Sequence, residues 1–121
     1  MRLPKKLSHE LAQWNEGSGV SALDWITCIG NFDHLAGYYN LIWPRFRDYE
    51  GRIYLAEMLT GREAELDGLQ GFEITKMQSM INCLDITMIF GGVNDEICDD
   101  QLISFAQGLK QTWSAKLGIE Y

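Results

Sequence analysis

Cys28, Asp33 and His34 come nearest in this chain to a catalytic set. A turn at Gly30 would bring thiol and imidazole together, with Asp33 or Asp24 as the orienting carboxylate. The chemistry would then be attack by a thiolate on an electrophilic carbon. A reactive thiolate needs exposure and a depressed pKa. Cys28, however, lies in an apolar run between Ile26 and Ile29, where a free cysteine behaves as a small buried hydrophobe. Packing is therefore the expected role of Cys28. The serines have no Gly-x-Ser-x-Gly elbow to present one of them.

Carboxylate pairs are plentiful: Asp48 with Glu50, Glu63 with Glu65, Asp99 with Asp100. General acid–base work needs one carboxyl with a raised pKa, and so a partly apolar cleft. These pairs sit instead at turns and helix starts, where solvation and capping account for them. The two histidines, His9 and His34, are far apart, and the three cysteines, Cys28, Cys83 and Cys98, include no close pair. Metal-ligand spacing is thus missing. Gly17-Ser-Gly19 and Gly91-Gly92 lack the neighbours of a P-loop or a dinucleotide fingerprint. The expectation is a chain with no catalytic, cofactor or metal site.

The elements that would position these groups follow from apolar spacing and punctuation. At 121 residues, 46% of them apolar and 12% aromatic, the chain suits one compact domain, residues 1–121, with a single core. Leu7, Leu11 and Trp14 share a helical face, with Ser8 as cap and a loop from Asn15 to Gly19. Ser21, with Asp24 three residues on, opens a second helix that stops near Gly30. Asn31 caps a third, which Pro44 ends. The run from Trp25 to Pro44 is nearly uncharged, and its density of apolar side chains marks it as the central core segment.

From Phe46 to Leu55 the period changes around Glu50-Gly51, a hairpin candidate. Thr60 and Glu63 have capping-box spacing, with a short polar helix following to Leu66. Ile74, Met77, Ile81 and Leu84 form a helical stripe, while Leu84, Ile86, Met88 and Phe90 alternate, so 84–90 reads as helix or strand alike. Asp99 opens a last helix with Leu102, Phe105, Ala106, Leu109, Trp113 and Leu117 at helical spacing. The fold expected is mainly α: about five helices and a short β-hairpin near 46–55.

Charge gives the strongest functional clue. The net charge of −7 comes from 17 acidic and 10 basic residues. It opposes direct contact with nucleic acid or an anionic membrane and suits a basic protein partner. Between Glu63 and Asp100 there are nine acids and one base, Lys76, a formal charge of −8. Glu63, Glu65, Asp67, Asp95, Glu96, Asp99 and Asp100 are the expected partner-binding set. Tyr49, Tyr54 or a tryptophan would anchor such a contact. The odd, scattered cysteines favour reduced thiols in a cytoplasmic protein. No window has the length and apolarity of a membrane span.

The motifs Leu11-Ala-Gln-Trp-Asn-Glu-Gly17, Trp25-Ile-x-Cys-Ile-Gly-Asn-Phe32 and Gly37-Tyr…Trp43-Pro44 resemble those of a small group of bacterial proteins with no assigned enzymatic role. The resemblance extends to Met80–Ile86 and Trp113–Leu117. In size, charge and compartment the chain also resembles immunity partners of contact-dependent growth inhibition and other polymorphic toxins. That likeness implies a protein that neutralises a basic toxin domain, of nuclease type, through an acidic surface. The alternative is a small cytoplasmic enzyme using Cys28 and His34, or a carboxylate in an aromatic pocket.

Overall fold

The computed structural model describes residues 3–90, 97 and 99–121. The chain order is α1 (Lys5–Gln13), α2 (Ala22–Ile29), α3 (Phe32–Ile42), β1 (Phe46–Tyr49), β2 (Arg52–Leu55) and α4 (Ala56–Leu59). A 3₁₀ turn (Glu63–Leu66), α5 (Gly71–Ile81), α6 (Ile86–Phe90) and α7 (Asp99–Glu120) complete it. The fold is mainly α with one antiparallel hairpin, as the sequence led us to expect. Segment 86–90 is helical, which resolves the ambiguity at 84–90.

Local hydrogen bonds explain where the early helices begin. Ser21 and Asp24 form a reciprocal capping box on α2, the Asp24 amide donating to Ser21 Oγ at 3.1 Å and the Ser21 amide to Asp24 Oδ2 at 3.3 Å. Asn31 Oδ1 accepts the His34 amide at 3.0 Å and opens α3. Two expected caps do not form. Helix α1 starts ahead of Ser8, whose amide already donates to Pro4 O within the helical ladder. Thr60 donates its hydroxyl back to Ala56 O at 2.9 Å, at the end of a helical turn that the sequence did not announce. Its side chain is thereby committed to the preceding helix and cannot cap the following one.

The hairpin pairs Phe46 with Leu55, Arg47 with Tyr54, Asp48 with Ile53 and Tyr49 with Arg52. Glu50 and Gly51 both take positive φ, 51° and 79°, the backbone of a two-residue I′ turn whose twist matches the strands. Asp48 Oδ1 accepts the Gly51 amide at 2.9 Å and braces it. The pairs flanking Arg47–Tyr54 turn their backbone groups away from the partner strand. Helix α5 supplies their partners from side-chain amides. Asn82 accepts from the Leu55 amide at 2.9 Å and donates to Ile53 O at 3.0 Å, and Gln78 Nε2 donates to the same carbonyl at 3.0 Å.

The core lies beneath this hairpin. Tyr54, Leu59, Leu66 and Ile81 are fully buried, with Tyr49, Ile74 and Met77 packed on them. The run Trp25–Pro44 is therefore not the central core segment. Helix α3 is exposed along all of its residues except Leu41. It meets α7 on one side only, through Trp113 Nε1, which donates to Leu41 O at 2.9 Å. Pro44 removes the amide that would continue the ladder, so carbonyls at this end of α3 need outside donors. Just beyond the helix, buried Lys116 ties down the proline itself: its Nζ bonds Pro44 O at 2.6 Å and Glu120 at 3.3 Å and lies 5.5 Å from the Trp43 ring centre.

Asn82→Ala should destabilise the protein by about 1–3 kcal/mol, because it removes two part-buried hydrogen bonds and leaves the Leu55 amide without its acceptor, while Ile53 O keeps Gln78. Tyr54 Oη has no hydrogen-bond partner among the described residues. Tyr54→Phe is therefore expected to be neutral or stabilising by up to about 1–2 kcal/mol. Urea unfolding of both variants beside the wild type measures the contrast.

Candidate interaction surface

The expected partner-binding acids fall into three situations. Glu63 and Glu65 stand on the 3₁₀ turn, and each is engaged by an arginine. Arg47 Nη2 reaches Glu63 Oε1 at 3.0 Å, and Arg62 approaches both Glu65 oxygens, the shortest distance being 2.9 Å. Opposite charge at this separation offsets much of their outward field. Asp67 follows the turn, exposed, with Tyr49 Oη at 3.5 Å. Asp99 and Asp100 begin α7, exposed, and no cation pairs with either among the described residues. Asp95 and Glu96 lie outside the described residues.

These acids do not stand on one element. Trp113 meets the Phe46 ring edge-on at 6.1 Å, fixing where α7 touches the hairpin. Asp99 lies fourteen residues earlier, about 21 Å along the helix axis. Glu63 and Glu65 are thus held by arginines, while Asp99 and Asp100 stand at a helix N-terminus with no cation paired to them among the described residues. Asp85 is occupied elsewhere, accepting the hydroxyl and the amide of Thr87 at the start of α6.

Among the described residues two carboxylates have pKa values below the ordinary range. For Glu63 the leading cause is a hydrogen bond from its own backbone amide, followed by the one from Arg47. For Asp85 it is the Thr87 hydroxyl, then the Thr87 amide. Tyr49 is shifted up, first by loss of solvation and then by the charge of Asp67. Arg47 also lies over the Tyr49 ring, 5.5 Å from its centre. Of the expected anchors, Tyr54 is wholly buried and can meet no partner. Tyr49 is half-buried, as are all four tryptophans.

The catalytic alternatives gain no geometry. Cys28 is exposed, contrary to the expectation of a buried thiol. It lies on α2 because that short helix turns only part of its circumference toward other elements. No hydrogen bond joins Cys28 to His34 among the described residues, and the His34 amide serves the Asn31 cap. Among the described residues no group of histidine, cysteine, aspartate or glutamate side chains has the arrangement of a metal site. An open groove of about 670 Å³ runs along α1 and the start of α2. Among the described residues its one carboxylate, Asp24, belongs to the capping box, and no aromatic side chain lines it. A second groove, of about 380 Å³, lies between Ile42 and α7 and has no carboxylate.

The chain matches no protein-family model, no curated protein and no solved structure with which it was compared. No helix among the described residues is long and apolar enough to cross a membrane.

One surface was not anticipated as such. Helices α2 and α3 leave Leu23, Ile26, Ile29, Phe32, Leu35 and Tyr39 exposed, Leu23 and Phe32 at 76% and 79%. The sequence held the signal, an almost uncharged stripe at helical spacing. Periodicity marks a face that wants cover without saying whether the same chain provides it.

Acid should destabilise the protein in a way that can be traced to single groups. A carboxyl whose folded pKa lies below its unfolded value contributes stability above the unfolded value, and that contribution disappears as the pH falls through the folded one. For Glu63 and Asp85 the loss therefore develops below their ordinary values of 4.5 and 3.8. A Glu63→Gln/Asp85→Asn variant should be less stable than wild type at neutral pH and lose less on acidification. Denaturation midpoints from neutral pH to pH 3 test this.

Proposed function

We propose that this is an interaction protein of the immunity type, which binds a basic toxin domain in the cytoplasm and neutralises it. A nuclease is the kind of toxin that suits the charge. The observation that carries the reading is the pair Asp99 and Asp100, exposed at the head of α7 with no cation paired to either among the described residues. Carboxylates held this way can take the place of phosphates in a basic nucleic-acid cleft and block it. Their field would also steer a basic partner into encounter. The likeness to immunity proteins in size and acidity supports the same reading, and so does the resemblance to bacterial proteins with no assigned enzymatic role.

The proposed division of labour differs between the acids. Asp99 and Asp100 give attraction without having to release a cation partner among the described residues. Asp67 joins them at the cost of its contact with Tyr49. Glu63 and Glu65 must first part from Arg47 and Arg62 and contribute less to the encounter. Asp95 and Glu96 belong to the set by charge and by nearness in sequence.

The test uses the product of an adjacent toxin reading frame, by association kinetics at low and high salt and by growth protection. Asp99→Lys/Asp100→Lys should slow association at least tenfold at low salt and weaken protection, with a much smaller difference at high salt. Glu65→Gln should change the association rate less than twofold. Unchanged binding and protection in the charge-reversed variant would remove the acidic surface from the mechanism.

A further inference from the structure

Helices α2 and α3 carry a second set of exposed side chains, none of them among the acids. On α3 the side chains of Phe32, Leu35, Tyr39 and Ile42 follow one another three and four positions apart, so they share one stripe. Asp33 and Asn40 fall on the opposite side. On α2, Leu23 and Ile26 repeat the pattern, with Ile29 completing it. All seven are exposed, from 39% for Ile42 to 79% for Phe32.

Size and charge identify what covers them. A large side chain offers on the order of 200 Å² when fully exposed. At the observed exposures the seven side chains on the two helices sum to roughly 800 Å² on that scale, comparable with the share of one partner in a standard protein interface. The face is also neutral. From Leu7 to Pro44 the chain has no lysine or arginine, and on α2 and α3 its acids are Asp24, held in the capping box, and Asp33. A basic or acidic partner finds little here to pair with. A second copy brings an equal area of the same neutral, apolar character, and a twofold axis pairs a patch with itself.

We propose that the α2–α3 face is a homodimer interface, in which the apolar stripes of two copies cover one another. Four helices, two from each chain, form the contact. The acids heading α7 belong to another element, so the proposal does not rest on the toxin-binding reading.

Light scattering on the purified chain, over about a hundredfold concentration range, reads the result directly. A species of twice the chain's 13.8 kDa is expected. Phe32→Glu and Leu35→Glu should raise the dimer dissociation constant at least a hundredfold with unchanged far-ultraviolet circular dichroism. Both side chains are already exposed in the single chain, and Tyr39→Gln provides a milder variant if either fails to fold. Phe72→Glu, at an equally exposed position on α5, should leave the dimer intact. A monomer at every concentration overturns the proposal. So does a dimer indifferent to the face variants, one equally sensitive to Phe72→Glu, or open-ended association in place of a dimer.

Discussion

The outer edge of β2 is the constraint on which the folded core depends. Two strands make one ladder, and a lone hairpin is marginal in water because its outer backbone groups and one of its faces stay wet. Here Asn82 treats β2 as a neighbouring strand would: one amide group accepts from Leu55 and donates to Ile53. Gln78 shares the Ile53 carbonyl and also accepts from Arg52 at 2.8 Å. The edge is closed to other strands. These bonds hold α5 against the hairpin, and Ile81 and Met77 reach Tyr54 and Leu59 from it. Loosening the polar contact would open the apolar one, since the same helix carries both.

Helix α7 does comparable work at the other end of the hairpin. Trp113 packs on Phe46 while its indole N–H serves the end of α3, and Lys116 bonds the carbonyl of the proline that ends it. An ammonium taken so far out of water needs compensation. It has a carbonyl, a carboxylate and the face of Trp43. The break at Pro44 and the cation at 116 are thus two parts of one joint, which sets the direction from α3 into β1. Phe105 performs a smaller service near the start of α7, meeting the Phe90 ring edge-on at 5.3 Å, and Phe90 in turn stacks with Tyr38.

What could be read from the sequence was what closes over three or four residues. Ser21 with Asp24, Asn31 with His34, and Glu50-Gly51 each complete a hydrogen-bonded unit locally, and all three stand where spacing placed them. The period of α7 is likewise a local property, and its apolar positions are buried or half-buried. Thr60 was misleading because its hydroxyl has two local choices, and the helical carbonyl of Ala56 already lies within reach. Asn82 gave no signal, since its partners lie 27 and 29 residues away and any exposed asparagine looks the same. The candidate site divides in the same way. The Arg62–Glu65 pair is a three-residue spacing that could have been seen, whereas the loss of Glu63 to Arg47 depends on the hairpin lying against the 3₁₀ turn.

The misplaced core follows from the same distinction. Apolar content says how strongly a segment avoids water, and Trp25–Pro44 is among the most water-averse parts of the chain. Burial also needs an opposing surface, and that is a property of topology. The segment around the hairpin is more polar but has α5 on one side and α4 with the 3₁₀ turn beside it, so four ordinary residues there become the centre. Helices α2 and α3 are joined by Gly30 and Asn31 alone, and α7 can cover only one side of α3. Their remaining stripe keeps its hydrophobic driving force unspent within the chain. None of the seven stripe residues is charged, and the acids of Glu63–Asp100 lie outside α2 and α3 in the chain. With no charged side chain in the stripe, such a contact adds no close like-charge pair to the repulsion that a net charge of −7 imposes on two copies.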